Sequence, residues 1–184
     1  MGTGEKVARR YGVSQSTISR NVQAALKVLE LEARKIQGQW DLIGDTTILD
    51  LERKVHQLWR WNEQQPLRLE AQHWCGPWLC QPTPEGWLAG NLDCLDDQRP
   101  IDLLRKGVID AWLASYPHTA KHDDEEIASI QLSPMPIHRL VGEGHTLLLR
   151  RDFLQAPQTQ ALQMTLLERL GPQAKAYPEI RLLN

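Results

Sequence analysis

The stretch Lys6–Leu26, KVARRYGVSQSTISRNVQAAL, restricts this 184-residue chain more than any other. It predicts two short helices joined by a tight turn. Val7, Ala8 and Tyr11 are the expected inner residues of the first helix. Gly12 can adopt the left-handed conformation that ends a helix, and Val13 supplies an apolar plug for the turn. Ser14 stands where an N-cap is needed, a contribution of typically ~1 kcal/mol. At about 100° per residue, turning Ile18 inward brings Val22, Ala25 and Leu29 to the same side. Ser16, Arg20, Gln23 and Lys27 then fall opposite, with no large apolar residue among them.

A short helix with a small, polar, cationic outer face suits the major groove of DNA. Gln15, Ser16, Thr17, Ser19 and Arg20 are expected to enter the groove, with the capping Ser14 beside them at the DNA, while Arg9, Arg10 and Lys27 can meet phosphates. The plainer alternative is a helical hairpin whose charged face meets only water. Glycine turn, cap, inward residues and outer face all agree on a helix-turn-helix.

The formal net charge of −2 looks unsuited to a polyanionic partner until it is divided along the chain. Residues 1–40 hold seven Lys/Arg against three Glu, a net of +4 that leaves −6 for the remainder. A basic module attached to an acidic one fits a DNA-binding regulator with a separate sensing domain. Hydrophobic content of 41% is ordinary for a globular protein. No apolar run approaches the ~20 residues that cross a bilayer and no signal-peptide pattern opens the chain, so a cytoplasmic location without membrane contact is expected.

Beyond the motif, Arg34-Lys35-Ile36-Gln37-Gly38-Gln39-Trp40-Asp41-Leu42 predicts a small hairpin, either a wing that touches the DNA backbone through Arg34 and Lys35 or an ordinary surface turn. Asp45-Thr46-Thr47 caps a helix running to about Trp61. Its Ile48, Leu51, Val55 and Leu58 are spaced three, four and three, the seam of a coiled coil, though the face could equally pack on its own domain. A homodimer through the 45–64 helix would let two recognition helices read paired half-sites.

The pattern changes at Gln64-Gln65-Pro66. Leu67–Ala71 alternates as a strand, and the prolines and glycines between Trp74 and Trp87 forbid a long helix. Ile101–Lys106 predicts a helix ended by Gly107, and Val108–Ala114 a buried strand. Residues 117–126 are an acidic loop. Leu140-Val141 and Leu147–Leu149 predict strands, Gln158–Leu170 a helix, and Glu179–Leu183 a last strand. The expected divisions are 1–44 for DNA binding, 45–64 for the linker helix and 65–184 for an α/β domain.

VARRYGVSQSTISR, a basic hairpin with a long helix behind it, and LLRKGVIDAWLA resemble the LysR-type transcriptional regulators. That resemblance implies a winged helix-turn-helix and linker helix followed by a periplasmic-binding-protein-like α/β effector domain. Gly107 and Asp110 stand at matching places of the family's helix–Gly–strand element, and Gly142-Glu143-Gly144-His145 is similar to its Gly-His step. A small-molecule effector would then meet the loops leaving the strand ends: Gln72, His73 and Trp74 after the first strand, Arg99 after the second, Ser115 after the third.

The chain also departs from the family. No helix precedes the motif to brace it, Ala24-Ala25-Leu26 replaces a usual Leu-Glu pair, and the Trp/Pro-rich run at 74–87 replaces an amphipathic helix. Too few residues follow His145 for a whole second subdomain. The effector domain is therefore expected to be incomplete, with a tail that either opens that subdomain or returns to the first, in a chain either truncated or naturally short.

Catalytic constellations are not found. His73, Cys75, Cys80 and Cys94 lack zinc-knuckle spacing and read as ordinary thiols with a loop histidine; no metal or cofactor is expected. Asp96-Asp97 and Asp123-Asp124-Glu125-Glu126 read as solvated turns, and neither a phosphate-cradling glycine loop nor a nucleophile elbow occurs. Two rival functions remain: the targeting module of a recombinase or transposase, and a small-molecule-binding or interaction domain that does not bind DNA.

Overall fold

The computed structural model describes residues 4–36, 39–95, 98–115, 125–133 and 144–176. The chain divides into two compact units, Met1–Val55 and His56–Asn184. The division falls inside one helix rather than at the loop near residue 65.

In the first unit, α1 (Gly4–Tyr11) and α2 (Gln15–Val28) are joined by a turn at Gly12, whose φ of 63° is the left-handed conformation glycine tolerates. Val13 N donates to Ala8 O at 3.0 Å, closing the end of α1. Ala8 is buried, but Tyr11, expected inside, is 68% exposed. Eight residues give a helix little more than two turns, too few to hide two flanks against one partner helix. On α2, Leu26 is buried and Ile18 half-buried, whereas Val22 and Ala25, expected on the inner side, are exposed.

After α2, Leu31 N donates to Leu26 O at 2.8 Å. β1 (Glu32–Ile36) then pairs antiparallel with β2 (Gln39–Ile43) from Glu32↔Ile43 to Ile36↔Gln39. Gly44 follows with φ 124°, and a Cβ there would lie 2.9 Å from a Leu31 methyl and 3.1 Å from Glu30 O, so only glycine closes this hairpin against the end of α2. Thr47 N donates to Asp45 Oδ1 at 2.9 Å at the start of α3 (Thr47–Asn62).

The second unit contains the last turns of α3 and a five-stranded sheet of order β4-β3-β5-β7-β6. β3 (Leu67–Ala71) is parallel to β4 (Trp87–Ala89) and to β5 (Ala111–Ala114). β7 (His145–Arg150) returns antiparallel between β5 and β6 (Ile127–Ser133). The parallel half matches the expected α/β pattern, while β6 and β7 depart from strand–helix–strand alternation.

Side chains alternate across the sheet. On one face Leu69, Ala111, Leu113, Leu147 and Leu149 meet Trp61 of α3, Leu79 of the short α4 (Gly76–Leu79), and Leu162, Leu166 and Leu170 of α6 (Pro157–Ala176). Trp61 stacks on Phe153 with ring centroids 4.3 Å apart. On the other face Trp112, Ala114, Ile127 and Leu148 meet Ile101 and Leu104 of α5 (Gln98–Arg105). β5 starts three residues later than expected. Val108 N is bonded to Leu103 O in the end of α5, and Asp110 is turned toward α3.

No helix among the described residues is long and apolar enough to cross a membrane. The strands expected at Leu140-Val141 and Glu179–Leu183, and most of the acidic loop at 117–126, lie outside the described residues.

Candidate functional site

The first turn of α2 is built by Ser14. Its backbone is extended (φ −75°, ψ 152°) and its hydroxyl accepts from Thr17 N at 3.1 Å, with Ser16 Oγ and Thr17 Oγ1 at 2.8 and 2.9 Å. The cap leaves the remaining amides of the turn at the open end of a 14-residue helix. Gln15, Ser16, Ser19, Arg20 and Gln23 are exposed around that end, and Thr17 is half-buried. Arg20 Nε donates to Ser16 O at 3.3 Å, which lays the guanidinium back along the same face.

The expected phosphate contacts are not equivalent. Arg9 is exposed and paired with Glu5 at 2.6 Å; Arg10 is on α1, and its side chain lies outside the described residues. Arg34 donates to Glu32 at 2.8 Å and faces Asp41 across the hairpin. The guanidinium holds the Glu32 carboxyl below its usual range, chiefly by this hydrogen bond. Arg34 therefore carries little unbalanced charge. Lys35 is opposite Trp40 and has no ion pair among the described residues.

On α3, the spaced residues Ile48, Leu51, Val55 and Leu58 are each 51–68% exposed. The neighbouring side of the helix is engaged instead. Arg53 pairs with Asp50, and within the second unit Gln57 and Arg60 are buried. Arg60 donates to both oxygens of the fully buried Asp110 (Nε 3.0 Å, Nη2 2.9 Å). Gln57 Nε2 and Arg68 N donate to the same carboxylate at 3.1 and 2.8 Å.

The five expected effector residues do not form one set. Gln72 and Ser115 are both buried; Gln72 Oε1 accepts from Ser115 N at 2.9 Å and from the Ser115 hydroxyl. This pair joins the ends of β3 and β5 and satisfies its own polar groups. His73 bonds Asp93 through Nδ1 and stands edge-on to the half-exposed Trp74. Arg99 lies in the first turn of α5, not on a strand-end loop, because the helix already begins at Gln98. The pairings Gln72–Ser115 and His73–Asp93 join positions 43 and 20 residues apart, and no local pattern announces them.

At the same end of the sheet, Ser133 and His145 are paired in register and buried. His145 meets the Trp78 indole edge-on at 5.7 Å, its Nδ1 has no hydrogen-bond partner among the described residues, and burial pushes its pKa down to about 4. Cys75, Cys80 and Cys94 are buried free thiols; burial raises the Cys75 pKa beyond the ordinary thiol range and that of Cys80 to about 12. Buried thiols of this kind are poor nucleophiles and ligands.

Neither a family model nor a curated protein matches the chain. Among solved structures it is similar to a full-length OxyR variant from Pseudomonas aeruginosa (13% identity, 89% of each chain, TM-score 0.49). It is also similar to full-length LysG from Corynebacterium glutamicum (10% identity, 93% of each chain, TM-score 0.44). A third is CrgA from Neisseria meningitidis, a LysR-type transcriptional regulator (14% identity, 72% of this chain and 50% of that one, TM-score 0.25). The structures to which the chain is similar at this low identity thus include a LysR-type transcriptional regulator.

Proposed function

We propose that the chain is a sequence-specific DNA-binding transcriptional regulator of LysR type, with α1 and α2 as its helix-turn-helix and β1–β2 as its wing. The observation that carries this reading is the Ser14-capped open end of α2, ringed by Gln15, Ser16, Ser19 and Arg20 with no large apolar side chain among them. Polar side chains at a helix N-terminus reach base edges while the helix dipole favours nearby phosphate. Residues 1–44 bind DNA, 45–64 link and dimerise, and 65–184 sense a small molecule.

The exposed Ile48, Leu51, Val55 and Leu58 support a homodimer, since a seam at this spacing is buried by a second copy of itself. The effector reading rests on the carboxyl ends of β3 and β5, where His73 and Trp74 offer contact groups and Gln72–Ser115 hold the rim in place. Such a protein works beside the chromosome, hence in the cytoplasm.

The test is binding of the purified chain to DNA from upstream of its own gene and to a random-sequence duplex across a salt series. A preference that survives rising salt, with a footprint of paired half-sites, is the expected result. Arg20→Ala should lower affinity for the preferred DNA by ~1–3 kcal/mol and leave random DNA nearly unchanged. Equal losses on both would remove Arg20 from base recognition.

A further inference from the structure

The hairpin β1–β2 sorts its charges by face. In an antiparallel pair, directly opposed residues point to the same side and successive residues to opposite sides. Glu32, Arg34 and Ile36 therefore share one face with Ile43 and Asp41, while Ala33 and Lys35 share the other with Leu42 and Trp40. Both acidic residues of the hairpin lie on the first face, where the Arg34–Glu32 bond also holds the arginine. The second face carries Lys35 as its one charge among the described residues, and beside it an indole that is 62% exposed. Ala33 and Leu42 on this face are half-buried. The Lys35–Trp40 pair stands farther out, one step from the last pair, Ile36↔Gln39.

Tryptophan is enriched at recognition surfaces, where its indole offers a large, rigid apolar face. This one sits on a face that bears a cation and, among the described residues, no acid, which favours an anionic occupant. From this register we infer that Trp40 is a DNA contact: the indole packs on the deoxyribose edge of the groove while Lys35 meets the flanking phosphate. The inference rests on the DNA-binding function proposed above and deepens it. Trp40 supplies apolar contact that releases no counterion, and Lys35 supplies charge that does.

The experiment uses the full chain, the upstream duplex and the random-sequence duplex. Trp40→Ala should weaken binding to both about tenfold, the scale of one lost aromatic contact, and leave the salt slope unchanged. Trp40→Phe should restore most of that loss. Lys35→Ala should reduce the salt slope by about one. As a check that does not depend on the alanine variant folding, the fluorescence difference between the unsubstituted chain and Trp40→Phe isolates the Trp40 signal. DNA should shield that signal from acrylamide.

Unchanged affinity in Trp40→Ala with retained DNA binding would overturn the Trp40 role and leave the DNA reading intact. Shielding of Trp40 by rising protein concentration without DNA would assign this face to a second copy instead. Failure of the unsubstituted chain to bind either duplex at low salt would overturn the DNA reading itself.

Discussion

The two units of this chain handle their apolar residues in opposite ways. In Met1–Val55 the buried apolar side chains among the described residues are Ala8, Leu26 and Leu31. Tyr11, Val13, Val22, Val28, Trp40, Leu51 and Val55 of the same unit remain exposed. In His56–Asn184 both faces of the sheet are covered, and Leu69, Trp112, Leu113, Leu147 and Leu148 are fully buried. A unit this small cannot hide its apolar surface alone, and the surface it leaves open is where partners are met. The larger unit holds itself together around its sheet and pairs several of its buried polar side chains, Arg60 with Asp110 and Gln72 with Ser115 among them. Recognition and stability are thus assigned to different parts of one chain.

The largest effect should come from the clamp that fixes the end of α3 to the sheet. Asp110 is fully buried and accepts four hydrogen bonds from Arg60, Gln57 and Arg68. Asp110→Ala leaves the Arg60 guanidinium buried without its counterion, a change that costs ~3–5 kcal/mol. Trp40 is the single tryptophan of the smaller unit, so the emission difference between a chain and its Trp40→Phe counterpart reports on that unit separately in a urea titration. The larger unit should lose its transition midpoint while the Trp40 signal keeps its own. A common loss in both would break the comparison, because the units would then unfold as one.

A second test uses acid. Burial holds the His145 pKa at about 4, well below the ordinary value of about 6.5 in an unfolded chain. Between these values the unfolded chain binds a proton that the folded unit refuses. Stability is therefore full above about pH 6.5 and declines as pH falls toward 4, by up to something on the order of 3 kcal/mol. His145→Phe removes both the titration and the unpartnered Nδ1. The difference in unfolding free energy between the variant and the unsubstituted chain should grow in the variant's favour across that window. A difference independent of pH would mean that His145 is as well solvated in the folded unit as in the unfolded chain.

Legibility from sequence followed the range of the interactions. The Gly12 turn and the Ser14 cap are set by residues within five positions of each other, and both stand where expected. Tyr11 was misplaced because a helical face is defined by what packs on it, and a short α1 has one partner. β4 was hidden because three residues between turns carry no period, and β6 because its alternation is broken by a bulge between Gln131 and Ser133. The Gln72–Ser115 and His73–Asp93 pairs required the sheet to bring distant loops together. Lys35 opposite Trp40, by contrast, needs only the hairpin register and the period of two.

The smallest effect is the most discriminating for the recognition unit. Ser14→Ala removes the acceptor for Thr17 N and should cost about 1 kcal/mol of stability in the smaller unit, read as an earlier Trp40 transition. Ser14→Asp should recover that loss, since aspartate caps as well as serine and adds a favourable charge at the helix N-terminus. The two variants then part company on DNA. An aspartate at the open end of α2 would stand where phosphate is expected, so binding should fall below that of Ser14→Ala although the fold is firmer. If Ser14→Asp binds DNA as well as the unsubstituted chain does, no phosphate approaches this helix end. The capped turn would then serve folding alone, and the exposed face of α2 would be a surface that meets water.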